Sequence, residues 1–235
     1  MERQPLSTSV NDRDSLAVLE TELADVRRRI ADAAERSGRR AEDVRLVAVT
    51  KQVGADVVAM AAAAGVREFG ENYVQDLETK RAAAPDAVWH FVGRLQRNKV
   101  PRLIETADLI HTLEPGRSAD RLLELAGGRT LPDCLIEVDF TGRRVGVAPP
   151  DLPAFAEAAH DGGIAVRGLM TVAPPGADPR PWFRRLRELG EGLRERFDGA
   201  SELSMGMSSD LEVAVEEGAT MVRVGTAIFG PRARR

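Results

Sequence analysis

A single (β/α)8 TIM barrel is the fold the sequence predicts, and three observations predict it. Eight short runs rich in apolar and β-branched residues alternate along the chain with segments of helical period. No compositional break or Pro/Gly-rich linker divides the 235 residues, 43% of them hydrophobic, so one large core can form. The runs are apolar on both faces, as strands of parallel sheets are, and eight βα units close on themselves. The competing architecture, an open doubly wound sheet, lacks the G-x-G-x-x-G turn it would carry after its first strand.

The elements follow in order. Residues 1–13 are polar and read as a disordered arm. Leu16, Leu19, Leu23, Val26 and Ile30 recur at intervals of three and four, the signature of an amphipathic helix, which ends near Ser37-Gly38. The first strand, over 44–50, is V-R-L-V-A-V-T and runs into Lys51. A helix over 56–64, closed by Gly65, leads to a short strand over 67–70. Further strands are predicted over 88–93, 109–113, 134–140, 166–172, 202–205 and 221–225. Helices are predicted over 74–83, 98–107, 118–126, 152–159, 181–197 and 210–217. Only ten residues follow Gly225, too few for a full covering helix, so the extra N-terminal helix is expected to complete the outer ring. The barrel is thus expected over 14–230, with 231–235, P-R-A-R-R, as a basic tail.

Composition narrows the function classes. A net charge of −4 with both signs interspersed gives no basic face, so no nucleic-acid partner is expected. The lone Cys134 excludes an internal disulfide framework and suits a reducing compartment. No apolar stretch reaches membrane-spanning length and 1–12 lacks the hydrophobic region of a signal peptide; the expectation is a cytoplasmic protein with no membrane association. His90, His111 and His160 are scattered without zinc-motif spacing, so no metal is expected.

Barrels of this kind place their sites at the carboxyl ends of the strands, with phosphate frequently held after strands seven and eight. Lys51 ends the first strand, and it is one of only three lysines (with Lys80 and Lys99) among 33 basic residues. Where a positive charge suffices this chain uses arginine; an amine, unlike a guanidinium, can lose its proton and condense with a carbonyl to a Schiff base. The alternative is a solvated lysine at a strand end. After strand seven comes G-M-S-S-D over 206–210, in which Ser208 and Ser209 open a helix. After strand eight comes G-T-A-I-F-G over 225–230, where Gly225 permits close backbone approach and Thr226 adds a hydroxyl at a short helical turn. Either loop alone reads as an ordinary turn with N-caps, whereas the two together favour a phosphate. Barrel closure sets strand one beside strand eight, so Lys51 faces this cradle. Two ligand classes join an amine-reactive carbonyl to a phosphate: pyridoxal 5′-phosphate, and a phosphorylated sugar aldehyde. Arg223 alternates inward with Met221; being donor-only, it suits an unprotonated pyridine nitrogen, or else a salt bridge in the barrel mouth.

Six motifs carry a family resemblance: V-A-V-T-K at 47–51, F-G-E-N-Y-V-Q at 69–75, W-H-F-V-G-R-L-Q-R-N-K at 89–99, G-L-M-T at 168–171, L-S-M-G-M-S-S-D at 203–210 and V-R-V-G-T-A-I-F-G at 222–230. In sequence and order they resemble the pyridoxal phosphate homeostasis proteins, also called YggS or PROSC, over about 44–230. The resemblance implies an alanine-racemase-like barrel with pyridoxal 5′-phosphate held as a Schiff base on Lys51. It implies Ser208, Ser209, Gly225 and Thr226 at the phosphate, Arg223 near the pyridine nitrogen and Asn72 lining the site. The implied role is intracellular buffering of the cofactor or its delivery to pyridoxal-dependent apoenzymes, without established turnover and without a catalytic residue.

Two departures bear on the loops after strands one and five: Gln52-Val53-Gly54 replaces a threonine-lysine-proline type of run, and Asp139-Phe140-Thr141 stands where asparagine is usual. Tyr73 is read as a packing residue beside the rim, His90 as part of a buried strand, and Q-R-N-K at 96–99 as a cap of the next helix. The alternative function is amino-acid racemisation on the same barrel. Barrel racemases take a second base, a tyrosine, from an additional β domain, and racemisation by two bases needs a group on each face of the carbanion. The sequence runs only five residues past Gly230, so a carrier is expected, and a barrel with its own outer helices needs no partner, so a monomer is expected.

Overall fold

The computed structural model describes residues 12–127 and 129–231. A long helix, α1 (Asp12–Arg36), precedes β1 (Arg45–Val49), α2 (Ala55–Ala63), β2 (Glu68–Glu71), α3 (Val74–Arg81), β3 (Val88–Phe91), α4 (Val100–Thr106) and β4 (Leu109–Leu113). There follow α5 (Arg117–Ala126), β5 (Asp133–Glu137), α6 (Leu152–Asp161), β6 (Val166–Met170), α7 (Arg180–Arg194), β7 (Glu202–Ser204), α8 (Leu211–Glu216), β8 (Met221–Val224) and the short α9 (Thr226–Phe229). The strands pair in sequence order and β8 pairs with β1 in parallel, which closes the barrel. Every expected strand and helix is present, several of them a residue or more shorter than expected. Of the arm expected over 1–13, residues 1–11 lie outside the described residues and the helix starts at Asp12; residues 232–235 of the tail also lie outside them.

The outer ring closes as expected. Helix α8 has six residues and α9 four, and α1 packs against both. Its apolar stripe, Leu19, Leu23, Val26 and Ile30, is buried, and Arg29 binds Glu212 of α8 at 2.6 Å. Strand alternation then divides the core. Residues facing the helices form one continuous cluster, with Phe69 stacked on Trp89 at 5.2 Å between ring centres. Residues facing the axis form a small apolar layer of Val47, Leu109, Leu135, Met170 and Met221. The rest of the interior is polar: His90, His111, Ser204 and Arg223 are all buried there. Polar groups withdrawn from water must be paired, and their pairing organises the site.

Candidate functional site

At the carboxyl ends of the strands the barrel opens into a cavity of about 800 Å³. Lys51, Asn72, Ser208, Ser209, Arg223, Gly225 and Thr226 all line it, against an apolar wall of Val49, Val92, Met170 and Val172. Size and lining suit a small organic ligand fixed by a few polar groups.

Lys51 is held from behind. Lys80, on α3, sends Nζ to Glu71 Oε1 at 2.5 Å and to the carbonyl of Thr50 at 2.7 Å, and Thr50 Oγ1 donates to the same carboxylate oxygen at 2.6 Å. The other oxygen of Glu71 accepts the Asn72 amide at 3.3 Å. One buried ion pair therefore braces the residue before Lys51 and the backbone of Asn72, and its charges are mutually satisfied. Lys80 is thereby committed to structure. The departure after Lys51 folds as a tight turn, Val53 N–H to Thr50 carbonyl at 2.9 Å, with Gln52 at φ 65°. A left-handed non-glycine residue costs on the order of 1 kcal/mol, and such strain concentrates at functional sites.

The two loops expected to hold an anion are one structure. Ser208 Oγ accepts the Ala227 amide at 3.2 Å, so the loop after β7 ties off the first turn of α9. The Ser208 carbonyl accepts from Arg29 at 3.0 Å, and the Met207 amide donates to Asp210 Oδ1 at 2.6 Å. Gly206 has φ 89°, and a Cβ there would lie 2.4 Å from the Ala214 methyl, so the turn that aims this loop needs glycine. Among the described residues no protein acceptor takes the amide hydrogens of Ser208 and Ser209. Ser208 thus caps α9 from the neighbouring loop rather than its own helix.

Arg223 is buried and donates from Nη1 to Ser204 Oγ at 2.6 Å and from Nη2 to the Thr171 carbonyl at 3.0 Å. Among the described residues no carboxylate pairs with it, so the alternative of a salt bridge in the mouth is not realised. Burial pulls its pKa down to about 10, with Glu137 and Asp210 opposing, and it stays charged at neutral pH.

The sequence reading missed the opposite wall. Glu137, at the end of β5, lines the cavity, and burial raises its carboxyl to about 7 against the counteracting Arg144, whose Nη2 is 3.6 Å away. Burial also raises Glu114, which faces Arg94 at 3.9 Å. The only legible signal was alternation, which points Glu137 inward two residues after Leu135. Asp139, in the other departure, accepts from the amides of Thr141 and Arg144 and from the Thr141 hydroxyl, each at 2.8 Å. Burial opposes its charge, but these bonds win and lower its pKa.

Two structural expectations are corrected. Tyr73 is 64% exposed rather than packed into the rim, because it sits at the turn where β2 hands over to α3. The run 96–99 makes a turn with no side-chain cap; Arg97 reaches instead to Glu124 of α5 at 3.1 Å. His90 is fully buried, as expected.

A phosphorylated aromatic aldehyde asks for an amine, an anion cradle, a donor for its ring nitrogen and an apolar wall, and the cavity supplies all four. Its unmet bonds agree: the Ser208 and Ser209 amides lack acceptors, and Asn72 Oδ1 is buried with no partner. Gly93 closes against it, since a Cβ there would lie 1.9 Å from the Asn72 carbonyl oxygen.

Fold and mouth define a class, the barrels with a lysine at the end of β1 beside hydroxyl-bearing loops after strands seven and eight. The family model for the alanine racemase N-terminal domain matches residues 22–233. The Pseudomonas aeruginosa pyridoxal phosphate homeostasis protein is 42% identical over 92% of this chain and 97% of its own length, and the Aquifex aeolicus one 41% over 89% and 96%. PipY of Synechococcus elongatus, solved with PLP bound, is 35% identical with a TM-score of 0.75, covering 90% of this chain and all of its own. Alanine racemase from Corynebacterium glutamicum, 18% identical with a TM-score of 0.69 over 92% of this chain and 62% of its own, shares the fold. The chain belongs to the pyridoxal phosphate homeostasis protein family.

Proposed function

We propose that this protein binds pyridoxal 5′-phosphate in the barrel mouth and serves its homeostasis in the cytoplasm, buffering it or delivering it to apoenzymes as a monomer. The observation that carries this reading is the convergence of Lys51, the Ser208–Thr226 cradle and Arg223 on one cavity. Lys51 is the amine; when bound, the cofactor supplies the aldehyde that condenses with it, with loss of water. Ser208, Ser209, Gly225 and Thr226 take the phosphate through amides and hydroxyls, Arg223 donates to the ring nitrogen, and Asn72 presents a carbonyl oxygen. No helix of the described residues is long and apolar enough to cross a membrane. A carrier is favoured over a two-base racemase because the one tyrosine, Tyr73, is exposed and outside the cavity lining.

Borohydride reduction of the protein loaded with cofactor, followed by peptide mapping, tests the assignment. The phosphopyridoxyl mass is expected on Lys51, and none in Lys51→Arg, which keeps the charge and loses the condensing amine. Label found chiefly on Lys80 or Lys99 would refute it.

A further inference from the structure

Below the cavity a line of buried polar side chains crosses the barrel interior, and the proposed function gives it no task. It starts at Arg223 on β8, whose Nη1 is 2.6 Å from Ser204 Oγ on β7. Ser204 Oγ is 2.8 Å from His111 Nδ1 on β4, and His111 Nε2 is 2.8 Å from His90 Nδ1 on β3. His90 Nε2 ends 3.0 Å from Glu68 Oε2 on β2, close but outside hydrogen-bonding geometry, and Glu68 lies 3.6 Å from Arg45 on β1. Ser204, His111 and His90 are fully buried.

Only the arginine end of this line has a fixed donor; the two ring contacts take their direction from the histidine tautomers. A guanidinium only donates, so Ser204 Oγ accepts from Arg223. Among the contacts of Ser204 Oγ, His111 Nδ1 is the acceptor left for its single hydrogen; in that arrangement the nitrogen is unprotonated, His111 donates from Nε2 to His90 Nδ1, and the remaining ring hydrogen of the line sits on His90 Nε2, facing Glu68. Charged groups flank the line at both ends: Glu68, Arg45 and Glu202 below, the last 2.6 Å from Arg45, and Arg223 and Glu137 above. Burial, reinforced by His90, Arg223 and Arg45, holds the His111 pKa well below the usual imidazole value, so it stays neutral. Aligned hydrogen bonds in a low-dielectric interior polarise one another, which strengthens the bond at the arginine end.

We propose that His111 and His90 are positioning residues for Arg223: through Ser204 they form a one-way relay that pins Nη1 to the floor and leaves other guanidinium N–H groups free for a ring nitrogen above. The Thr171 carbonyl holds Nη2 in the same plane. This rests on the reading that Arg223 faces the cofactor ring.

Long-range ¹H–¹⁵N spectra of histidine-labelled apoprotein between pH 6 and 9 test the relay without any ligand or substitution. His111 is expected as a neutral tautomer protonated on Nε2 throughout, with that hydrogen shared with His90 Nδ1. A proton on Nδ1 of His111 or on Nδ1 of His90, either of which reverses a link, would overturn the relay. Ser204→Ala, which cuts it, should leave His111 as a mixture of tautomers and weaken binding of pyridoxal 5′-phosphate and of unphosphorylated pyridoxal by the same factor, about fivefold, as expected for one lost hydrogen bond. Ser204→Thr, which keeps the hydroxyl, should restore both readouts. Unchanged affinity in Ser204→Ala, or a loss confined to the phosphorylated ligand, overturns the proposal. If the wild type binds neither ligand, the cofactor reading fails, while the apoprotein tautomers still decide the relay.

Discussion

The two sides of the barrel mouth handle charge differently. On the arc of β7, β8 and β1 the cavity is lined by hydroxyls and amides beside two basic side chains, Lys51 and Arg223, and among the described residues the Ser208 and Ser209 amides have no protein acceptor. On the arc of β4 and β5 two carboxyls lie near arginines, Glu137 3.6 Å from Arg144 and Glu114 3.9 Å from Arg94, yet burial outweighs both cations and raises both carboxyls. An anion gains from unspent donors, whereas a carboxyl raised by burial repels an anion once ionised and exchanges a proton instead. The first arc therefore suits an anion, and in the second Glu137 can take up or release a proton near neutral pH.

The largest expected effect removes the brace behind the first arc. Lys80→Met strands the buried Glu71 carboxylate and should cost about 3–5 kcal/mol of unfolding free energy, measured by urea denaturation. Adding Glu71→Leu should recover much of it, because the stranded charge is the penalty. A loss below about 1 kcal/mol would mean that Thr50 and Asn72 are held by other means.

The second arc responds to pH. Glu137 has a folded pKa raised to about 7 from an ordinary 4.5, so the folded state binds the extra proton between these values. Its favourable contribution is complete below about pH 4.5 and is lost as pH rises through about 7. Apoprotein stability should fall across that window by up to about 3 kcal/mol relative to Glu137→Gln, in which this dependence is absent. Parallel stability profiles of the two proteins would show that Glu137 is ionised throughout.

The smallest effect separates the arcs at the ligand. Thr226→Ala should weaken pyridoxal 5′-phosphate about tenfold, the value of one charge-assisted hydrogen bond, and leave unphosphorylated pyridoxal unchanged. Equal losses for both ligands in a spectroscopic titration would move Thr226 away from the phosphate.

Much of this was legible in the sequence, for reasons that are local. Apolar runs of strand length, the 3.6-residue stripe of Leu19, Leu23, Val26 and Ile30, and glycine-hydroxyl loops at fixed places in a βα count are properties of neighbouring residues, and they set the strands, helices and cradle loops. Barrel closure followed from the count, and with it the placing of Lys51 beside the loops after β7 and β8. Lys80, Glu71 and Thr50 gave no such signal, because they lie 9 to 30 residues apart and meet only when α3 packs on β1 and β2. The same holds for Ser204 and His111, 93 positions apart. What the sequence by itself determined was which residues face inward at the carboxyl ends, since pleat and helical period are backbone properties. Only the tertiary structure decided which of them ionise, which donate and which are already paired, because desolvation and hydrogen-bond partnership depend on neighbours drawn from every strand of the barrel.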